Sequence, residues 1–596
     1  MDFDIVQILS GLAKQKPEAL IADLVNNLEF QSVTECANTI LNWCVQTVER
    51  VDPPIFGFAE YLATLAILTV IYTFGDAVYK FRARIAVIPL DIFGFVILTI
   101  VGVATLSLDY LISSFGMWPT NLPMPSFWQM FLGSIFFSLI SSWIYFSFIR
   151  PPRFSRLNYK KYHEEIYNLI VKGSDAELEM LAYEIGRSAE NLVLYAQEER
   201  GKRSKQDISI YANEILLMIA NAKFCRKIIQ SCPNTAIIFL SEVSRQKKYR
   251  IPIDTFAMNI SKEAIMNKDS LLYHEDDGFD CGLLGYVKPF SVALYGDYKF
   301  LASLGHQTPL DVNYKVVRQW DADHLEAYCR ATLVAFQSYL EHGSWWNIPS
   351  PLYRAFDVIE NACNSLYEIN EIPNPDRNDD RLRRLDVVME FIRDAVAAVN
   401  SSKNIPDKIS KRLGEHRSPQ DPLDLIALMM FEIVFHASSI SRSDFLGWHI
   451  QHNRVWSDFS WFETTYPKVH KYLMAKFMRL IYDEIKDIEK LPNYKSSKII
   501  GFCLNVMGFN MARRTGLDVQ FFPLQRLLLK QVQKHFIKVR KEMPEVAKAM
   551  LVGTLSYDAK NKRLVKTYIK GLNKKAPQDY FSLITGKFSN NSKSGG

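Results

Sequence analysis

Between residues 57 and 149 the chain carries three apolar runs almost free of charge, and about 440 polar-rich residues follow them. The hydrocarbon core of a bilayer takes roughly 20 apolar residues per helix, so such runs point to helices that cross a membrane. The expected fold class is mainly α. A three-helix transmembrane module is followed by a large cytoplasmic, mostly helical domain with minor β and loop insertions.

Run 127–149 contains no Asp, Glu, Lys or Arg and is long enough to span unaided. Run 92–108 is also uncharged, lies between Asp91 and Asp109, and reaches spanning length if its helix starts near 85. The first run, 61–75, is shorter and spans only if it continues past Asp76 to about Val78. A buried or re-entrant helix is the alternative for it. The expected spans are about 57–79, 85–108 and 127–149, within a module over 56–150. None has the position and trailing small residues of a cleaved secretory signal.

Loop charge sets the expected orientation. Lys80, Arg82 and Arg84 lie between the first two runs, and Arg150, Arg153, Arg156, Lys160 and Lys161 follow the third. The connection 111–126 has no Lys or Arg. The positive-inside rule puts both basic segments in the cytoplasm and residues 1–55 outside. That N-terminal segment holds eight acidic and three basic residues. Helical spacing of Ile5, Ile8, Leu9 and Leu12, and of Leu20, Leu24 and Leu28, predicts helix there. Residues 32–51, with Cys36, Ile40, Cys44 and Val45, are expected to form a further helix. On it Cys36 and Cys44 would be about 12 Å apart along the axis, too far for one disulfide. An inner bacterial membrane is the expected location.

Two features of the module go beyond anchoring. Ser134, Ser138, Ser141 and Ser142 recur at helical spacing and share one face of the third run. Gly94, Gly102 and Thr105 form a similar small-residue stripe on the second. Small residues permit close helix approach and interhelical hydrogen bonds. The stripe therefore packs helices together or, in an oligomer, lines a wet path. Asp76 and Asp91 are costly at membrane depth unless paired or hydrated. Interfacial salt bridging is the expectation, with an ion or gating site as the alternative.

Beyond residue 155 the composition is ordinary; the whole chain has a formal net charge of +6. Cys225, Cys232, Cys281, Cys329, Cys363 and Cys503 form no C-x-x-C pair, which fits reduced thiols and gives no zinc framework. Apolar residues at three- and four-residue spacing predict helices at 162–171, 176–196, 208–222, 321–341, 352–369, 382–399, 423–439, 469–488, 496–513 and 525–541. The plan is a helical subdomain over 151–403, a linker at 404–422 and a second helical subdomain over 423–588. Residues 271–305 are expected to form loop with short strands. Residues 551–570 are expected to form a basic β-hairpin, and 589–596 a flexible tail.

Candidate sites are few. His274, Asp276, Asp277 and Asp280 are metal-capable, but their spacing is not that of an EF-hand, so a solvated acidic loop is expected. Glu432 and His436 lie i, i+4 on one helix, with His449 and His452 further on. A hydrogen-bonded Glu–His pair is expected there, and a transition-metal site is the alternative. No G-x-S-x-G, G-x-x-x-x-G-K-[ST] or G-x-G-x-x-G motif occurs, which weighs against an enzyme and names no cofactor. Residues 526–575 hold fourteen Lys or Arg and three acidic residues. Lys534, Lys538, Arg540, Lys541, Lys562, Arg563, Lys566 and Lys570 are candidates for contact with anionic lipid headgroups. Interleaved aromatics are too sparse for a base-stacking platform, which disfavours nucleic acid.

The expected function is a membrane effector, channel-like in plan. Its cytoplasmic domain senses a ligand or partner and regulates a homo-oligomeric module in the lipid bilayer. A membrane-anchored scaffold or receptor is the first alternative, and a membrane-bound enzyme with an unrecognised site the second.

Overall fold

The computed structural model describes residues 38–40, 43–47, 56–74, 77–87, 90–115, 117–119, 123–198, 207–275, 288–304, 307–373, 375–376, 378–411, 413, 417–459, 466–510, 518–569 and 576–584. It divides into two compact units, Met1–Pro152 and Arg153–Gly596. Both ends of the segment expected as a linker, 404–422, fall in the second unit.

Unit 1 begins with β1 (Asn38–Ile40) and β2 (Trp43–Thr47). They pair antiparallel, Thr39 opposite Cys44. The helix expected over 32–51 is therefore a strand pair where it is described. Thr39, Ile40, Trp43, Val45 and Thr47 are residue types that suit a pleated surface better than a helix. Helix α1 (Phe58–Phe74), α2 (Ala77–Arg84) and α3 (Leu90–Phe115) follow. The strand β3 (Met117–Pro119) then adds to β2, and α4 (Pro125–Ile144) runs into a π-helical turn, Tyr145–Ile149.

Among the described residues two helices are long and apolar enough to cross a membrane, Gly94–Ile112 and Pro125–Ile144. The first run falls short of that standard because α1 stops at Phe74 and the polar α2 begins at Ala77. Asp76 lies outside the described residues, as do 1–37 with Cys36, and the tail from 585 on.

The apolar contact in unit 1 centres on Tyr61, Val101, Leu132 and Phe136, one patch from each of α1, α3 and α4. Tyr61 is the pivot. Its hydroxyl donates to the Leu98 carbonyl at 2.8 Å, and its ring packs edge-on against Phe136 at 5.8 Å. A Cβ at Gly102 would sit 2.8 Å from that ring, so only glycine admits the close approach. The Asp109 carboxylate accepts the Phe58 N–H at 2.7 Å and supplies an anion at the N-terminus of α1. At the other end, Tyr79 of α2 stacks on Phe148 of the π-turn at 4.3 Å.

Unit 2 is mainly helical. It opens with α5 (Tyr159–Lys172), α6 (Asp175–Gly186), α7 (Ala189–Tyr195), α8 (Asp207–Ile219), α9 (Ala222–Ser231), α10 (Pro233–Gln246) and α11 (Asp254–Met266). A Ser174–Glu177 capping box starts α6. The single helix expected over 176–196 breaks at Ser188. That hydroxyl turns inward to accept from the Phe154 N–H at 3.1 Å and the Tyr162 hydroxyl at 2.9 Å. The bent pair α8 and α9 is apolar enough in sum to cross a membrane. Its apolar side, however, including Ile215, Leu216, Phe224 and Ile228, is buried in this core.

Short helices Leu271–His274, α12 (Pro289–Tyr295) and α13 (Tyr298–Ser303) occupy the stretch expected as loop with strands, and no strand lies there among the described residues. Capping explains the difference. Glu275 accepts the Phe290 and Ser291 N–H groups, the latter at 3.0 Å, and Asp297 accepts from Lys299 and Phe300.

Helices α14 (Ala322–His342), α15 (Ser350–Asn361) and α16 (Asp380–Ser401) form the middle, with a 3-10 turn at Asn364–Glu371. After them come α17 (Pro422–Ser438), α18 (Pro467–Lys490), α19 (Tyr494–Met507), α20 (Asp518–Glu542) and α21 (Pro544–Ala549). The expected basic hairpin is present as β4 (Leu555–Asp558) and β5 (Arg563–Thr567), with Tyr557 opposite Leu564. A third strand, β6 (Gln578–Ser582), completes an antiparallel sheet.

Candidate functional site

The face of α4 that meets α1 and α3 carries Gln129, Leu132 and Phe136. At 100° per residue the four serines fall on the opposite side of the helix. Ser134 and Ser138 are exposed, and Ser141 and Ser142 are half-buried. Thr64, Thr69, Thr99 and Thr105 bond back to their own helices. None of the four serine hydroxyls has a hydrogen-bond partner among the described residues. The four hydroxyls therefore make no hydrogen bond within the described residues, and Ser134 and Ser138 lie on the exposed side of α4. In the second stripe Gly102 lies against Tyr61 of α1 and Thr105 is buried, while a Cβ at Gly94 would meet nothing within 4 Å. Asp91 sits in the first turn of α3.

In unit 2 a cleft of about 580 Å³ opens between the start of α14, the end of α15, the Asn364–Glu371 turn and α16. Trp320, Tyr314 and Tyr367 supply its aromatic walls. Most of its charges are already committed. Arg384 pairs with Asp380 at 2.6 Å and donates to the Trp320 carbonyl at 2.6 Å. Glu368 pairs with Arg381 at 2.9 Å, and Asp321 with Lys268 at 2.6 Å. Burial alone would raise the Asp321 carboxyl, but hydrogen bonds from Lys268 and His324 outweigh it and hold the group well below the usual carboxylate range. Among the described residues two of its charges have no ion-pair partner: Arg318, stacked 4.5 Å over the Tyr314 ring, and Asp357 on α15. Such a cleft suits a small polar solute that offers both charges.

The Glu432–His436 pair does not form. Glu432 takes Lys495 instead, with carboxylate–ammonium distances of 2.5 and 2.7 Å. Burial, with Lys495 nearby, lowers His436 to about 4. Burial and Lys566 likewise lower His452 to about 4, and its ring nitrogens face the Trp448 and Asn505 carbonyls at 3.2 Å each. Burial favours the neutral form of both rings. His449 lies on the same π-helical segment as His452, His449–Trp456. No group of three His, Cys, Asp or Glu with metal-binding geometry occurs among the described residues. His274 is exposed on its short helix, while Asp276, Asp277 and Asp280 lie outside the described residues. Five described cysteines are free thiols, four of them buried.

Two charge clusters were not anticipated from sequence. Lys476 of α18, with no exposed side-chain surface, bridges Asp421 at 2.9 Å and Asp424 at 2.6 Å. Those carboxylates form the capping box of α17. Burial and the adjacent Asp424 push the Asp421 carboxyl up, against the pull of Lys476. In the second cluster Glu360 of α15 is raised to about 8 by burial first, then by Glu432 and Asp357, with Lys495 opposing.

The basic region is only partly available to a partner. Lys566 is buried and donates to the Asn505 carbonyl, so it cannot contact lipid. Arg563 is held by Asp558 at 2.9 Å and by the Tyr580 ring at 4.0 Å. Lys570 lies outside the described residues. Lys534, Lys538, Arg540, Lys541 and Lys562 are exposed.

No family model matches the chain, and searches of curated proteins and of solved structures each return no match.

Proposed function

We propose that this protein is a multi-pass membrane effector. Copies of unit 1 assemble in the bilayer through the hydroxyl face of α4, and unit 2 binds a small polar ligand that biases the assembly. The carrying observation is that Ser134 and Ser138 point away from the intrachain core with unpartnered hydroxyls. A hydroxyl on a spanning helix gains most from a partner helix or water, since lipid tails offer neither donor nor acceptor.

In this reading α1 is a third, short span of about 25 Å, completed by tilt or local thinning. The N-terminus lies outside and unit 2 in the cytoplasm, in an inner bacterial membrane. Two contacts support that topology. Pairing of β2 with β3 joins the N-terminal segment to the α3–α4 connection, so both belong at one end of unit 1. The Tyr79–Phe148 stack sets α2, with Lys80, Arg82 and Arg84, beside the turn that leads to Arg150 at the other end. The cleft at Trp320, Arg318 and Asp357 is the ligand site in this reading.

Ser138→Trp tests the assembly face. An overpacked interface typically costs about 1–3 kcal/mol, so the variant should dissociate the oligomer at roughly tenfold higher protein concentration, read by mass photometry in detergent. Unchanged dissociation together with unchanged thermal stability would mean that the face meets only lipid.

A further inference from the structure

Helix α20 divides cleanly into two faces. Leu528, Leu529, Val532, Phe536 and Val539 are buried and fix the helix to the rest of unit 2. Arg526, Lys530, Lys534, Lys538, Arg540 and Lys541 are all exposed on the other side. Arg526, Lys530, Lys534 and Lys538 recur every four residues, with Lys541 three further on, so they form one ridge about 22 Å long. No acidic residue lies between Val519 and Lys541. Among the described residues only Lys534 of this ridge has an acidic partner, Glu489 at 3.0 Å, while Arg540 covers the Tyr557 ring at 4.0 Å. Two apolar side chains, Phe522 and Ile537, are exposed on the same face, 38% and 40% respectively.

We infer that this ridge is a docking surface for an anionic lipid leaflet. A predominantly basic face with interspersed apolar residues is the pattern of a helix that lies in a bilayer interface, with ammonium groups at the phosphates and apolar tips among the headgroups. The inference rests on the membrane reading above, because a domain tied to a bilayer by its own chain meets that surface continually. Sequence alone pointed to a broader basic region. The buried Lys566 and engaged Arg563 narrow it to α20, and Arg526 and Lys530 extend it toward the start of the helix. Nucleic acid fits less well, since Phe522 and Ile537 give no platform for stacked bases.

The test uses the full chain in nanodiscs of phosphatidylcholine alone, or of phosphatidylcholine with phosphatidylglycerol. An amine-acylating reagent reads lysine accessibility by mass spectrometry. Each basic side chain near an anionic surface contributes about fivefold to local association. Lys530, Lys538 and Lys541 should therefore react about fivefold more slowly in the anionic discs at low salt and recover at high salt. Lys262, exposed on α11, serves as the unaffected control. In Lys530→Gln/Lys541→Gln, the slowing of Lys538 in the anionic discs should shrink severalfold. Equal rates in both discs overturn the inference, as does undiminished protection of Lys538 in the variant. Protection by a short DNA oligonucleotide but not by phosphatidylglycerol overturns it in favour of nucleic acid. A chain that enters neither disc overturns the membrane reading and this inference with it. A monomer that still shows the lipid protection overturns only the assembly.

Discussion

Lys476→Met should loosen the α17–α18 pair by about 3–5 kcal/mol, the usual cost of removing one partner from a buried ionic cluster. The lysine and both carboxylates have 0–1% of their side-chain surface exposed. Without the ammonium, Asp421 and Asp424 face each other at the N-terminus of α17 with only the capping N–H groups and the helix dipole to offset their charge. Loss of packing is minor, since methionine nearly matches the lysine stem. Amide exchange in α17 and α18 should accelerate by two orders of magnitude or more, of the size set by that free energy. Adding Asp421→Asn and Asp424→Asn should restore part of the protection, because asparagine still caps the helix and carries no charge. Exchange unchanged in Lys476→Met would contradict this account of the cluster.

Glu360→Gln should remove a pH dependence. The folded pKa of about 8 lies above the ordinary value of 4.5, so the folded chain holds a proton that the unfolded chain has released. The contribution of this group is fully present below pH 4.5 and is lost as pH rises through 8. One pKa unit corresponds to 1.36 kcal/mol; allowing for partial solvent access, the loss between pH 5 and 8 is about 2–3 kcal/mol. Glutamine is neutral throughout. The variant should therefore match the parent at pH 5 and exceed it by about that amount at pH 8, in urea unfolding followed by tryptophan fluorescence. His436 and His452 act on the acid side. Their folded values of about 4 lie below the ordinary 6.5, so their contribution is full above pH 6.5 and falls as pH drops toward 4. An equal gain for Glu360→Gln at pH 5 and pH 8 would rule out the proton-linked explanation.

Helix positions were legible because unit 2 keeps apolar residues at regular three- and four-residue spacing. Expected 382–399 and 469–488 became Asp380–Ser401 and Pro467–Lys490, and the differences are capping turns. Breaks and strands were harder to read. The break at Ser188 depends on Phe154 and Tyr162, distant in sequence and invisible to a local window. The α12 start depends on Glu275, which reaches Phe290 across fourteen intervening residues. In 32–51, four-residue spacing of Cys36, Ile40 and Cys44 suggested a helix, while the β-branched and aromatic content carried the better signal.

Legibility of the candidate sites followed the same division. The serine stripe is a property of one helix, so its common face could be read directly, but not that this face is the one left outside the core. The cleft draws on α14, α15, α16 and two connecting turns, and no sequence window joins Arg318 to Asp357. The Lys476 cluster spans 55 residues of chain from Asp421. Arg526 and Lys530 were within reach, because their spacing already matches Lys534 and Lys538. What sequence could not show was that Lys566, with the same charge, turns inward to a carbonyl.

The most direct test of the central claim is the mass of the full chain in nanodiscs formed from native-like lipid at low protein-to-disc ratio. The account predicts particles holding two or more copies, joined through α4 so that a crosslink from Ser138→Cys forms between copies. Particles that hold one copy at every ratio, with no crosslink at that position, would contradict it.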